Sequence, residues 1–178
     1  MAIAHDTADT ITFAAALVNT EGSLDRLVTP ADLEALYRVH PISSLREGSL
    51  QELKSVQEIR LRLRQLLLAP RDEAAALVNE ILREFAEMPQ LLRHDHHDWH
   101  LHAVGIDRPT AEQLLVQTAM AMVWIIEQDE HSRIAVCAAP GCQGIVFDQS
   151  RNRSRRFCSL ACSNRSAAAA YRARRAIK

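Results

Sequence analysis

Apolar positions recur along this chain mostly at intervals of three and four, the signature of helices with one buried face. Ile11-Thr-Phe-Ala-Ala-Ala-Leu-Val18 is the first such run and predicts a helix ending near Asn19 to Gly22. Thr29-Pro30-Ala31-Asp32 opens the next. Thr29 is placed as N-cap and Pro30 at the first helical position, where a missing N–H costs nothing. Leu33, Leu36 and Tyr37 then share a face, and His40-Pro41 ends the element. Ser49-Leu-Gln-Glu52 has the form of a capping box. Leu53, Val56, Leu63, Leu66 and Leu67 follow it as a single helical run to Pro70, with Ile59 beside them. Arg60, Arg62 and Arg64 fall on the other side, as a solvated face. Asp72 starts a further helix carrying Leu77, Val78, Ile81, Leu82, Phe85 and Met88 to Pro89. Asp107 or Thr110 caps the last long helix of the body, whose buried face is Leu114, Leu115, Met122, Ile125 and Ile126.

The period changes in two places. From Leu91 to Asp107 the helical pattern stops, and Trp99, Leu101 and Ala103 alternate with His100 and His102 as in a short strand. After the last long helix, Ile134-Ala-Val136 and Ile145-Val-Phe147 read as two more short strands. A final helix then runs through Ala167-Ala-Ala-Ala170 toward the C-terminus. Aromatics make up 4% of the 178 residues, and glycine and proline are sparse, which again favours helix. The expected fold is mainly α: a multihelical N-terminal domain over residues 1–132 and a small C-terminal module over 133–178, built from a short β-hairpin and a helix.

All four cysteines lie in that module, as the pairs Cys137/Cys142 and Cys158/Cys162. Each pair can place two thiolates on one ion, and four thiolates close a tetrahedral zinc site with no open position. Pro140 and Gly141 allow the tight turn that the first pair needs. The second pair stands at the start of the final helix, where negative charge is favoured. Two disulfides or four unrelated buried cysteines are the alternatives, but the paired spacing favours a metal and nothing in the sequence points to an oxidising compartment. The expectation is one structural zinc on Cys137, Cys142, Cys158 and Cys162.

Charge divides at the same boundary. The formal net charge is −1, yet every acidic residue lies at or before Asp148. Nine of the 21 basic residues lie beyond it, which leaves 12 basic against 22 acidic residues before it. An acidic body joined to a basic tail points to a polyanionic partner for the tail. The competing reading is that the tail lies on its own acidic body. Arg151, Arg153, Arg155 and Arg156 occupy a turn between the cysteine pairs, and Asn164, Arg165, Arg172 and Arg175 the helix after them. Arg165 and Arg172 share a helix face, which Arg175 continues. These eight are the candidate nucleic-acid contacts, Arg165 being the candidate for reading a base edge. No apolar run is long enough to span a bilayer, and the N-terminus lacks a charged start and an apolar signal core. A cytoplasmic protein with no membrane partner is expected.

The segment His94-Asp-His-His-Asp-Trp-His-Leu-His102 is the other concentration of chemistry. Adjacent histidines are not a specific ligand spacing, so a solvated loop running into a strand is the plainer reading. Trp99, His100 and His102 are nevertheless candidates to line a ligand pocket. No nucleophile–base motif, phosphate loop or HExxH sequence is present, so no catalytic residue is assigned and an enzyme is not expected.

With these residues in view, the C-terminal segment resembles the CGNR-type zinc finger of bacterial transcription regulators. The resemblance rests on Cys137, Cys142, Asp148, Ser150-Arg-Asn-Arg-Ser-Arg155, Phe157-Cys158, Cys162 and Asn164-Arg165. Ser163 stands where the family's namesake glycine usually stands, and the three residues between Cys158 and Cys162 are a shorter spacing than is common there. The body is similar to the ABATE domain in Leu17-Val-Asn-Thr20, the Leu33 helix, Leu61-Arg-Leu-Arg-Gln-Leu-Leu-Leu68, Trp99-His-Leu-His102 and the helix after Pro109. The resemblance implies a helical N-terminal domain without catalytic residues, followed by a DNA-binding finger.

Together these readings give a DNA-binding transcription regulator with a structural zinc finger and a helical body that senses a small-molecule effector or forms a homodimer. Two alternatives stay open. One is a sensor or enzyme using the body around Trp99, His100 and His102. The other is an RNA- or protein-interaction module in which the finger is a structural cap.

Overall fold

The computed structural model describes residues 5–22, 24–40, 46–93, 100–105 and 107–176, without the side chains of His5, His100 and Ala176. Seven α-helices dominate these residues: α1 His5–Val18, α2 Pro30–Val39, α3 Leu50–Glu58, α4 Arg60–Leu68, α5 Arg71–Phe85, α6 Thr110–Glu127 and α7 Leu160–Ala176. Two antiparallel strand pairs complete the described residues. The first joins β1 Gln90–Leu92 to β2 His100–His102, with Leu91 opposite Leu101. The second joins β3 Ile134–Val136 to β4 Ile145–Phe147, with Ala135 opposite Val146. No helix among the described residues is long and apolar enough to cross a membrane.

The core forms around α1, which buries Ile11, Phe13, Ala14, Leu17 and Val18. Leu63, Leu66 and Leu67 of α4 and Leu115, Met122 and Ile125 of α6 pack in the same cluster. The Phe13 and Tyr37 rings stack with centroids 6.0 Å apart. Tyr37 donates its hydroxyl hydrogen to Glu52 Oε1 at 3.1 Å, so its polar end is satisfied where its ring is buried.

Local capping follows the sequence for α2 and departs from it twice elsewhere. Thr29 and Asp32 make the reciprocal capping box at the start of α2. Ser49 Oγ accepts the Glu52 N–H as expected, but the Glu52 carboxylate does not return to Ser49. Its Oε2 instead accepts the N–H groups of Glu47 and Gly48, while Oε1 takes Tyr37. Neither Asp107 nor Thr110 caps α6, whose preceding residue is Pro109. The Gln113 side-chain amide donates to the Arg108 carbonyl at 2.6 Å, which ties the preceding turn to the helix without capping it.

Two further expectations are corrected by burial. The run from Leu53 to Leu67 is two helices broken at Ile59, and the break turns Arg60 inward. Arg60 is 7% exposed and forms a paired contact with both oxygens of Asp25, at 2.8 and 2.7 Å, with Thr20 Oγ1 beside it at 3.1 Å. It is a buried tie between the α1–α2 connection and α4, not part of a solvated face. The guanidinium contact lowers the Asp25 carboxyl to about 2. Met88 lies beyond the end of α5 and is 86% exposed, so it does not extend that helix's apolar face.

The C-terminal module docks on the body through β4, whose three residues are all buried. Ile145 and Phe147 belong to the body core, while Val146 belongs to a separate small cluster with Cys137, Ala139 and Cys162. Alternation along a strand sends neighbouring side chains to opposite faces, so β4 serves both. Asn19, just past the end of α1, pairs with its open edge. Asn19 Nδ2 donates to the Ile145 carbonyl at 2.8 Å, and Asn19 Oδ1 accepts the Ile145 N–H at 2.6 Å. One side-chain amide thus does the hydrogen bonding that a neighbouring strand would do. Arg64 Nη1 adds a bond to the Gln143 carbonyl, and Gln149 Nε2 one to Thr12 Oγ1.

Replacing Asn19 by Ala leaves the Ile145 N–H and carbonyl unpaired in this seam. A buried group left without its partner costs about 1–3 kcal/mol, so urea denaturation of Asn19→Ala should show a loss in that range. Amide exchange at Ile145 should accelerate in the same variant. Unchanged exchange at Ile145 would show that Asn19 does not hold the strand.

Candidate metal centre and basic surface

Three short segments bring the cysteines together. Cys137 follows β3, and its N–H donates to the Gly144 carbonyl at 2.7 Å. Between Cys137 and Cys142 the chain reverses, with Cys142 N–H bonded to the Ala139 carbonyl and Gly141 at φ 71°. Proline followed by a left-handed glycine is what a type II turn requires. Cys158 precedes α7, and Cys162 lies in its first turn. Ser159 stands immediately before the helix and accepts the Cys162 N–H on its hydroxyl at 3.2 Å. This cap was readable from the serine before an alanine-rich run, but the cysteines drew the reading instead.

The four thiol sulfurs all lie within 4.8 Å of one another. Cys142 and Cys158 are 3.6 Å apart, and Cys162 is 3.7 Å from each. Four sulfurs held ~2.3 Å from one ion at tetrahedral angles stand about 3.8 Å apart, so the spacing fits a single zinc. A disulfide requires roughly 2.05 Å, and all four cysteines are free. Backbone donors support the sulfurs: Gly144 N–H faces Cys142 and Cys158 N–H faces Cys137, both at 3.4 Å. Gly144 is needed for another reason, since a Cβ there would stand 2.9 Å from Cys158 Sγ. Burial, with the neighbouring thiols, pushes the Cys158 thiol up to about 12, whereas the Ser159 contact helps hold Cys162 down to about 7. A bound zinc would keep all four as thiolates and tie the hairpin to α7.

The shorter Cys158–Cys162 spacing therefore still lets the fourth sulfur reach the others. Ser163 at the namesake glycine position sits in regular helix, its N–H bonded to the Ser159 carbonyl at 3.1 Å. No left-handed conformation is needed there.

The basic residues separate into two groups. Asn164 and all seven arginines, Arg153 and Arg165 included, are exposed, so the division is one of partners, and the first group is Arg151, Arg155, Arg156, Arg172 and Arg175. None of these arginines meets a carboxylate among the described residues, and Arg175 stacks over Tyr171 at 5.9 Å. Arg153 instead donates to Glu130 Oε2 at 2.8 Å and Ser132 Oγ at 3.1 Å. Arg165 Nη2 contacts Cys162 Sγ at 3.1 Å. Glu130 also receives the buried Arg133, whose Nη1 bonds the Asp148 and Ser150 carbonyls. Asp148 shapes the turn through its own carboxylate, which accepts the N–H groups of Ser150 and Arg155, both at 2.8 Å. Burial opposes ionisation of Asp148, but these hydrogen bonds outweigh it and keep its pKa low. Sequence reasoning marked Asp148 only as part of a motif and missed Glu130, whose Oε2 accepts from both Arg133 and Arg153.

Of the residues expected around a pocket, Trp99 and the side chain of His100 lie outside the described residues, as do His94, His96 and His97. His102 is buried and lines a cleft of about 370 Å³ with Glu87, Gln90, Leu92, Val104 and Asp107.

Structural zinc contributes on the order of 10 kcal/mol to the folding of small fingers. Removing it with a chelator, or replacing Cys158 by Ser, should abolish the α7 contribution to circular dichroism. Because β4 shares the body core, the melting temperature of the remaining helices should fall as well. Metal analysis should return one zinc per chain. A body that melts unchanged after complete zinc removal would show that the seam carries no stability across it.

The comparison with known families follows this division of the chain. Residues 12–129 match the ABATE family, described as a putative stress-induced transcription regulator. Residues 133–175 match the CGNR zinc finger. No curated protein matches the chain. The ABATE match spans well over half of the sequence, and its description is not that of an enzyme class. The chain belongs to the ABATE family and carries a CGNR zinc finger after that domain.

Proposed function

We propose that this protein regulates transcription by binding duplex DNA through its finger. The observation that carries the reading is the exposed arginine set Arg151, Arg155, Arg156, Arg172, Arg174 and Arg175, on a module with no acidic residue beyond Asp148. Among the described residues only Arg153 of the turn meets a body carboxylate, which argues against the tail simply lying on its own acidic surface. Every residue of α7 from Ala167 to Arg175 is exposed, so this stretch stands clear of the body. At 17 residues α7 is ~25 Å long. Ala167 to Ala170 keep its middle narrow, which suits close approach to a major groove. Arg172 and Arg175 then meet phosphates from the helix, and Arg151, Arg155 and Arg156 from the turn. Asn164 faces outward at the same end and is available to a base or a phosphate. Arg153 and Arg165 are exposed as well, but their guanidinium groups already meet Glu130 and Cys162, so their part is to hold this surface in place.

A single finger binds weakly, and pairing two chains would raise the effective concentration of the second. A homodimer fits the proposal on that ground. A second reading of the body, as the sensor of a small-molecule effector, rests on the cleft lined by His102, Glu87 and Asp107. That reading predicts a ligand-dependent rise in melting temperature that His102→Ala abolishes.

Log affinity for duplex DNA should fall with log salt by about 0.9 per phosphate contact. Arg172→Ala should lower that slope by about one while sequence preference is retained. Joint replacement of Arg155 and Arg156 should lower it further. Equal binding by the native and substituted chains at low salt, or preference for RNA over duplex DNA, would overturn the proposal.

A further inference from the structure

Arg165 was a candidate for reading a base, yet its guanidinium is turned to the metal centre. It lies three residues after Cys162 on α7, one helical turn onward and on the same face. Its Nη2 stands 3.1 Å from Cys162 Sγ. We infer that Arg165 is a working part of the zinc site: it supplies the positive charge that four thiolates on one zinc lack.

The argument is electrostatic. Zinc bound by four thiolates leaves the centre with a net charge of about −2. Cys137 and Cys162 are each 5% exposed, so water does little to screen that excess. Two of the sulfurs are met by neutral backbone N–H groups, those of Gly144 and Cys158. Cys162 alone is met by a cation, and among the described residues Arg165 is the one cationic side chain in hydrogen-bonding contact with a sulfur. A charge-assisted bond of this kind is roughly twice as strong as a neutral one. The contact lowers the excess charge and slows the loss of the ion. Arg165 acts through Cys162 and does not ligate the ion, so its role is positioning and charge compensation. The neighbouring Arg155 and Arg156 make no such contact and cannot replace it.

This role is independent of nucleic-acid binding and is measured without it. Zinc affinity of the full-length chain is determined by competition with a chromophoric chelator, for the native protein, Arg165→Ala, Arg165→Gln, Arg165→Lys and, as a control, Arg172→Ala. Loss of an outer partner of a metal ligand costs about 10–100-fold in affinity, and Arg165→Ala should fall in that range. Arg165→Gln, which keeps a donor without the charge, should lie between Ala and the native chain. Arg165→Lys should recover much of the loss, and Arg172→Ala should match the native chain. Helix content at saturating zinc should be unchanged, which separates a weakened site from a misfolded finger. If Arg165→Ala does not fold, the Gln and Lys variants decide by the same order, supported by the sulfur-to-metal charge-transfer band after cobalt substitution. Affinities of all Arg165 variants within about twofold of native, well short of the expected range, would overturn the inference. Loss of DNA binding with native zinc affinity would do the same and return Arg165 to the nucleic-acid surface.

Discussion

Three residues, Ile145 to Phe147, have to form the wall of two different interiors. Ile145 and Phe147 complete the body core, and Val146 completes the cysteine cluster. A strand of this length paired with one equally short partner has no independent stability in water. It persists because each face is held from a different side: one by the apolar surface around α1, the other by the cysteine centre. The Asn19 amide closes the edge that β3 leaves open, and Gly144 lets Cys158 come close behind it. Beyond its ligands the finger's own apolar cluster adds only small or half-buried groups such as Ala139 and Phe157. Metal and body therefore substitute for a core that the finger is too small to build.

The same economy governs the arginines. Arg60 and Arg133 are buried, with their charges met by Asp25 and Glu130. Arg153 shares Glu130 from the solvent side, and Arg165 meets the Cys162 sulfur. Arg60, Arg133 and Arg153 each tie together separate segments, whereas Arg165 and Cys162 lie on the same helix. Losing one partner from such a pair strands the other charge, which is why these contacts constrain geometry more than their net stabilisation suggests. Among the described residues, the finger arginines left over, Arg151, Arg155, Arg156, Arg172 and Arg174, meet no carboxylate.

Local patterns in the sequence carried a great deal. The Thr29 cap, both short strands beyond residue 133, the α7 helix and the meeting of the four sulfurs follow from spacing and residue type alone. What escaped the sequence has a common physical origin in contacts between distant segments. Asn19 and Ile145 are 126 positions apart, and an asparagine at a helix end looks like a local cap until a strand edge is placed beside it. Arg60 looks solvated by its helical phase, because nothing nearby in sequence reveals that Asp25 lies across from it. Glu52 had the right offset for a reciprocal box with Ser49, but Tyr37 and the preceding backbone offered its carboxylate better partners. Arg165 shows the same limit within one helix turn. Its spacing from Arg172 described a surface stripe, while its spacing from Cys162 described the contact it makes.

A finger held in this way cannot be treated as a domain swinging on a linker. The last turn of α1 leads directly into Asn19, and α1 is also the helix around which the body core is built. A displacement of α1 therefore reaches Ile145 through one side chain, and from Ile145 it reaches Val146 and the cysteine cluster within a residue. The coupling has to run both ways: if zinc stabilises the seam, body stability must in turn favour zinc binding, by the reciprocity of linked equilibria. A body that receives a signal needs no separate lever to reach the finger under this arrangement. It needs only two arrangements of α1 that differ in how well they pair with β4, since a rigid finger carries that difference to the exposed helix α7.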